Sequence, residues 1–218
     1  MDNSIISPYT QALNAQTTKL EDYLDSGFKT IGIPADISQV ESSKMNMLGK
    51  SSICFAIIGV AAIIFGFVIS NLSVIITGAA AIFSAWYLYM KGRQASRAEA
   101  YSGLSTKIFG EISVITDKVS SEWNSFISLQ NDNLKKQIVS SADPTDSKVS
   151  MIDKVETSPA VKVNLDQMQA ELNKVAAGED LSAYKQYLSK AYGTIKNEIS
   201  AVETSQQSIY NTLSKAAV

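Results

Sequence analysis

The sequence contains no histidine. That removes the side chain that most often serves as a general base near neutral pH, and the commonest protein ligand for metals. It contains one cysteine, Cys54, so no internal disulfide framework can form. Charge of one sign is not in excess either: the net charge is −2, and residues 91–218 carry 15 acidic and 15 basic side chains, evenly interspersed. There is no basic stripe for nucleic acid and no acidic block for a charged tail. The first 40 residues are polar, so no cleavable secretory signal is expected; membrane insertion would fall to an internal segment, or export to a leaderless route.

The largest absence is local. From Ser51 to Met90 there is no Asp, Glu, Lys, Arg or Pro. In its middle, "FVISNLSVII" at residues 67–76 carries Ser70, Asn71 and Ser73. One helix of that length would run about 60 Å, roughly twice the hydrocarbon thickness of a bilayer. Split at the polar cluster, the halves Ser52–Ile69 and Val74–Met90 each suit a single crossing. Asn and Ser favour turns because their side chains bond nearby backbone. The expectation is a transmembrane helical hairpin over 51–90, with Ser70, Asn71, Leu72 and Ser73 as its turn. A buried hairpin in a soluble bundle is the competing reading, but two uncharged core helices of this length in tandem are unusual.

The flanks orient the hairpin. Lys44 and Lys50 precede it, and Lys91, Arg93, Arg97 and Lys107 follow, with Glu41 and Glu99 as the opposing charges nearby. Basic flanks stay on the cytoplasmic side, so two spans with both termini cytoplasmic are expected. Trp86, Tyr87 and Tyr89 lie just before Lys91, where an interfacial aromatic belt belongs. Lys50, Trp86, Tyr87, Tyr89, Lys91 and Arg93 are therefore the expected interface anchors. Ridges of small residues, Ala62/Gly66/Ser70 and Thr77/Ala81/Ala85, suggest how two such helices would close in lipid. Cys54 reads as a small apolar filler, in preference to an acylation site. Asn71-Leu72-Ser73 matches a glycosylation sequon but reads as the turn.

Outside the hairpin all patterns are helical. Residues 1–50 hold an amphipathic helix over 9–28, with Tyr9, Leu13, Leu20, Leu24 and Phe28 on one face, Ser7-Pro8 as start and Gly32-Ile33-Pro34 as break. A short helix capped by Asp36 would lead into the membrane. Residues 91–218 form the expected C-terminal helical, coiled-coil-like domain. Its long helix, 91–140, carries a stripe of Tyr101, Leu104, Ile108, Ile112, Ile115, Val119, Trp123 and Phe126 repeating every eleven residues, close to the natural helical period. It is expected to continue the second membrane helix without a break. Residues 141–160 read as a linker, and helices over 161–177 and 180–216 follow, divided at Gly178 and Asp180. The last helix is expected to fold back antiparallel on 91–140, in an all-α, elongated antiparallel bundle.

No catalytic, metal-binding or cofactor-binding residues are expected. "LGKSS" at 48–52 matches only the end of a phosphate-binding loop: its first glycine position is Lys44, and no strand precedes it. Two function classes remain. In the first, the chain is a membrane-anchored scaffold or interaction protein, not an enzyme, whose partners are the lipid bilayer and either its own copies or another helical protein. Its outline, residues 51–90 with helices after them, resembles the chlamydial inclusion membrane proteins. In the second, it is a pore-forming toxin or translocator subunit that inserts the 51–90 hairpin into a target membrane, with a secreted soluble form if a toxin. The same outline resembles leaderless α-helical pore-forming toxins of the cytolysin A and haemolysin BL type, although this chain is shorter and its hairpin has no polar face to line a channel.

Overall fold

A computed structural model describes residues 3–40, 47–68, 72–141 and 145–215. Among these, all regular structure is helical: α1 (Asn3–Thr30), α2 (Met47–Val68), α3 (Leu72–Ser140), α4 (Thr145–Glu156), α5 (Leu165–Ala177) and α6 (Leu181–Lys215), with a 3-10 turn at Ile37–Gln39. The chain forms two compact units. One comprises Met1–Gly32, Ile108–Glu171 and Lys185–Val218; the other comprises Ile33–Lys107 and Leu172–Tyr184. The boundaries expected at residues 50 and 90 both fall inside the second unit.

In the first unit α1 runs antiparallel to α3. Lys19 bonds Glu122, Lys118 lies over the Tyr23 ring, and Gly27 meets Ile115, so numbers rise on one helix as they fall on the other. It is antiparallel to α6 as well: Tyr9 meets Tyr210, Glu21 pairs with Lys196, and Tyr192 donates to Asp25. α3 and α6 are therefore parallel here, which corrects the antiparallel fold-back expected for them. The return path lies instead in residues 145–177. Lys148 bonds the Val139 carbonyl, Asn131 the Val155 carbonyl, and Trp123 the Pro159 carbonyl, so this segment descends along α3 before α6 ascends.

That return is not a featureless linker over 141–160. α4 occupies most of it, burying Met151 and Val155 four residues apart against α3. Twelve residues with one short apolar side carry too weak a period to read. The next helix begins at Leu165 rather than Val161, because Asn164 caps it through the Gln167 N–H. The α5–α6 turn places Glu179, not Gly178, in the left-handed region at φ 50. Asp180 caps α6 by accepting from the Ser182 N–H and hydroxyl, and these bonds hold its carboxyl below the usual carboxylate range. At the other end of the chain α1 starts at Asn3, upstream of the expected Ser7-Pro8. Pro8 forfeits one bond to the carbonyl four residues back, and the buried Ile6 and Tyr9 hold the first turns in place.

The eleven-residue period holds on α3, with a shifted lane. Tyr101, Ile112, Trp123 and Leu134 are buried, as are Leu104, Ile108, Ile115 and Val119. Phe126 is only half-buried; the parallel lane runs Ser105, Thr116, Ile127, Ile138. α6 shows the same shift. Tyr187, Ala191, Gln206 and Tyr210 are buried, while Leu188, Tyr192 and Ile209 are half-buried. The core thus takes in polar side chains: Thr17, Thr116 and Gln206 are buried with side-chain atoms that have no hydrogen-bond partner. Such atoms each cost about 1–3 kcal/mol.

Two buried tyrosines tie segments to carbonyls. Tyr184 donates to Tyr101 O in the second unit, and Tyr187 to Met168 O in the first. Burial pushes both phenols up to about 12, helped by Tyr101 for one and the Glu171 carboxylate for the other.

Two outcomes are expected. Thr116→Val leaves the melting midpoint of the full chain in mild detergent unchanged or raises it, since a buried unpartnered hydroxyl disappears. Ile112→Asp lowers it by the equivalent of more than about 3 kcal/mol, through lost burial and a stranded charge. Helical circular dichroism reads both, with the exposed Val114→Asp as a silent control. In alkali, a phenol whose folded pKa is raised contributes stability that is intact below its ordinary value of 10.0 and is lost as pH rises through about 12. Tyrosinate absorbance should show a late-titrating class that loses one member in each of Tyr184→Phe and Tyr187→Phe.

Candidate functional site

The site is a surface. In the second unit α2 and the first turns of α3 pack side by side, and glycine sets how closely. A methyl group on Gly59 would lie 2.7 Å from the Gly78 carbonyl oxygen and 2.7 Å from Ile82 Cγ1. One on Gly78 would lie 2.6 Å from Ile63 Cγ1 and 2.7 Å from the Gly59 carbonyl oxygen. The helices are in backbone contact, and the partners 59 with 82 and 63 with 78 make them antiparallel. Ser52 and Gly59 on α2, and Gly78, Ala85 and Gly92 on α3, are buried at seven-residue spacing. That is the seam of a left-handed helix pair, built here from small residues. The expected ridges do not form it as a set: Ala85 is buried, Ala62 and Ala81 are half-buried, and Thr77 is exposed.

A seam this narrow turns the large side chains outward. Of twenty exposed large apolar residues among those described, fifteen lie between Ile53 and Met90. The exposed apolar surface is thus one patch and not a scatter. Ile57, Ile58, Phe65, Val68, Ile76 and Phe83 are each 58–75% exposed. Large exposed apolar patches mark sites of interaction with protein, ligand or membrane. Among the described residues one helix, α3, is long and apolar enough to cross a membrane; its most apolar 18-residue window has a mean hydropathy of 1.6 and is 11% buried. The apolar stretch of α2, Lys50–Phe65, is shorter.

Of the four expected turn residues, Ser70 and Asn71 lie outside the described residues, while Leu72 and Ser73 open α3, both exposed. Ser73 accepts at its carbonyl from the Thr77 hydroxyl. Trp86, Tyr87 and Tyr89 are exposed on α3 and stand one turn from Lys91, whose ammonium lies 5.9 Å from the Tyr87 ring centre. Lys50, Lys91 and Arg93 are exposed. The packing-stripe residues of α3 sit inside the two units and take no part in this surface. Residues 48–52, which resemble the end of a phosphate-binding loop, fall in the first turns of α2.

Among the smaller features of the first unit is an open groove of about 390 Å³ lined by Asp25, Phe28, Lys29, Leu188, Ser189 and Tyr192. Phe28 meets Tyr192 edge-on in its wall. Tyr192 is pushed up chiefly by its hydrogen bond to Asp25, and Lys196 is raised chiefly by Glu21. Among the described residues no group of three or more His, Cys, Asp or Glu side chains could hold a metal ion.

The glycine contact generates a test. Gly59→Leu and Gly78→Leu should each separate α2 from α3 and lower the detergent melting midpoint, followed by tryptophan emission. Gly103→Ala and Gly110→Ala, where an added methyl meets nothing within 4 Å, should raise it slightly, by up to about 1 kcal/mol each. Comparison with known proteins finds no family model, no curated protein and no solved structure that matches this chain.

Proposed function

We propose that the chain is a membrane-anchored helical scaffold protein, with α2 and the start of α3 as a two-span hairpin in the bilayer. The observation that carries this reading is the outward exposure of the uncharged apolar side chains on both helices. Residues 51–68 and 72–90 would each cover roughly 27–28 Å as helix, close to the thickness of a hydrocarbon core. A two-span hairpin puts both termini on one side, and the basic residues at its open end make that side cytoplasmic.

The role is structural rather than catalytic. The apolar stripes of α1, α3 and α6 are consumed within the chain, where Leu13, Leu20, Leu24, Ile112 and Ile195 are fully buried. Self-association or binding of a helical partner would therefore use the polar outer faces of the first unit, or the lipid-facing sides of the hairpin. A pore former that circulates in soluble form needs its apolar hairpin covered beforehand. Here that surface faces outward, which favours the resident anchor.

Single cysteines at Asn14, Ser73 and Ser208, in a Cys54→Ala background, test the topology in sealed vesicles with a membrane-impermeant thiol reagent. Positions 14 and 208 should label from the same side and position 73 from the other. Opposite behaviour of 14 and 208 rules out two spans. Ile58→Arg separates lipid from water as the phase around α2. In water a charge at a side chain already 60% exposed is harmless, whereas in mid-bilayer it costs roughly 2.5–3.5 kcal/mol and should reduce the inserted fraction. Unchanged membrane fractionation of Ile58→Arg defeats the anchor reading, and a wild-type chain that stays monomeric without detergent supports the toxin.

A further inference from the structure

The register of the helical pair brings a set of cations together. With Gly59 opposite Ile82 and Ile63 opposite Gly78, the same antiparallel count places Lys50 at the level of Lys91. Arg93 follows about 3 Å further along α3 and Arg97 about 9 Å further. All four are exposed. In the first unit lysines are matched by carboxylates: Lys19 with Glu122 at 2.8 Å, Lys135 with Glu156 at 2.9 Å, and Lys190 with Glu171 at 2.7 Å. None of the ion pairs found among the described residues involves Lys50, Lys91, Arg93 or Arg97. Among the described residues the carboxylates near them are Glu99, exposed two residues beyond Arg97, and Asp36, which feels Arg97 only weakly and is held by the Ser38 N–H and hydroxyl.

These four charges end the apolar surface, and the exposed Trp86, Tyr87 and Tyr89 lie between the two. Apolar side chains, aromatic rings and unpaired cations succeed one another along one helix pair, in the order of hydrocarbon, interface and headgroup. We propose that Lys50, Lys91, Arg93 and Arg97 form a collar that recruits phosphate headgroups of anionic phospholipid around the open end of the hairpin. The proposal rests on the anchor reading and names the lipid class that the anchor selects. Cations at a membrane surface attract anionic lipid, and the attraction falls off within a Debye length. Four of them, outside every ion pair found among the described residues, are enough to enrich such lipid several-fold in the first shell.

Trp86 reports on that shell, while Trp123 is fully buried in the first unit and serves as an unquenched background. The full-length protein is reconstituted in vesicles of fixed composition, phosphatidylcholine with a minority of phosphatidylglycerol. Bromine is carried on the acyl chains of all the phosphatidylglycerol, or of an equal amount of the phosphatidylcholine. Brominated phosphatidylglycerol is expected to quench at least about twofold more than brominated phosphatidylcholine at low salt. The ratio should approach one in high salt, and in the variant carrying Lys50→Gln, Lys91→Gln, Arg93→Gln and Arg97→Gln. The salt series uses unaltered protein, so it decides the matter even if that variant fails to insert. Equal quenching by both lipids in wild type overturns the collar but leaves the anchor standing. Absence of quenching by either lipid overturns the anchor itself. A preference that survives both salt and the substitutions overturns its electrostatic origin.

Discussion

The contact between Gly59 and Gly78 is the constraint from which the character of the second unit follows. Where two helix backbones touch, no side chain larger than hydrogen fits between them, and the seam can bury only small residues such as Ser52, Ala85 and Gly92. Ile63 and Ile82 lie against the two glycines, and most other large apolar groups of residues 53–90 point away from the seam. In water such a pair would lose the benefit of burying Ile, Val and Phe, because association through a glycine seam removes little apolar area. In lipid the penalty vanishes, since the surrounding chains are as apolar as the side chains, and close backbone packing becomes the favourable term. This difference is the physical ground for the proposal that the pair sits in a bilayer.

The first unit is organised by the opposite rule. Its helices meet through Leu13, Leu20, Ile108, Ile112, Trp123 and Ile195, large side chains that exclude water and leave the charges outside. Lys19, Lys118 and Lys196 then pair across or along its surface with Glu122 and Glu21. Exposed pairs of this kind add little energy but help specify which helix faces which. Its interior still carries Gln206 and the two buried threonines without partners, an interior packed less favourably than its apolar composition would allow.

Periodicity carried the long elements well. The eleven-residue spacing of Tyr101, Ile112 and Trp123 marks a helix whose buried face stays in one direction, and α3 buries it so. What periodicity could not show was the exact lane, because a neighbouring helix decides whether Phe126 or Ile127 lies deeper, and because Ser105, Thr116 and Gln206 do not look like core residues. α4 was illegible for a related reason. Two buried side chains, Met151 and Val155, fix it against α3, and neither stands out from a polar, proline-flanked segment. The exposed apolar surface was legible from the missing charges, but its seam was not. Small residues recur on several faces of these helices, so only the rotation of one helix about the other puts Gly59 and Gly78 at the contact and leaves Thr77 exposed.

By itself, then, the sequence determined that the chain is helical, that residues 51–90 carry no charged side chain, and that cations and aromatics bound that segment. Those are properties of residue type and spacing, and they survive any arrangement of the helices. Only the tertiary structure decided that α3 and α6 run parallel in the first unit with α1 antiparallel to both, and that glycines rather than alanine ridges close α2 on α3. Helix direction and rotation depend on contacts between residues far apart in the chain, such as Glu21 with Lys196 and Gly59 with Gly78, and no local pattern encodes such pairings.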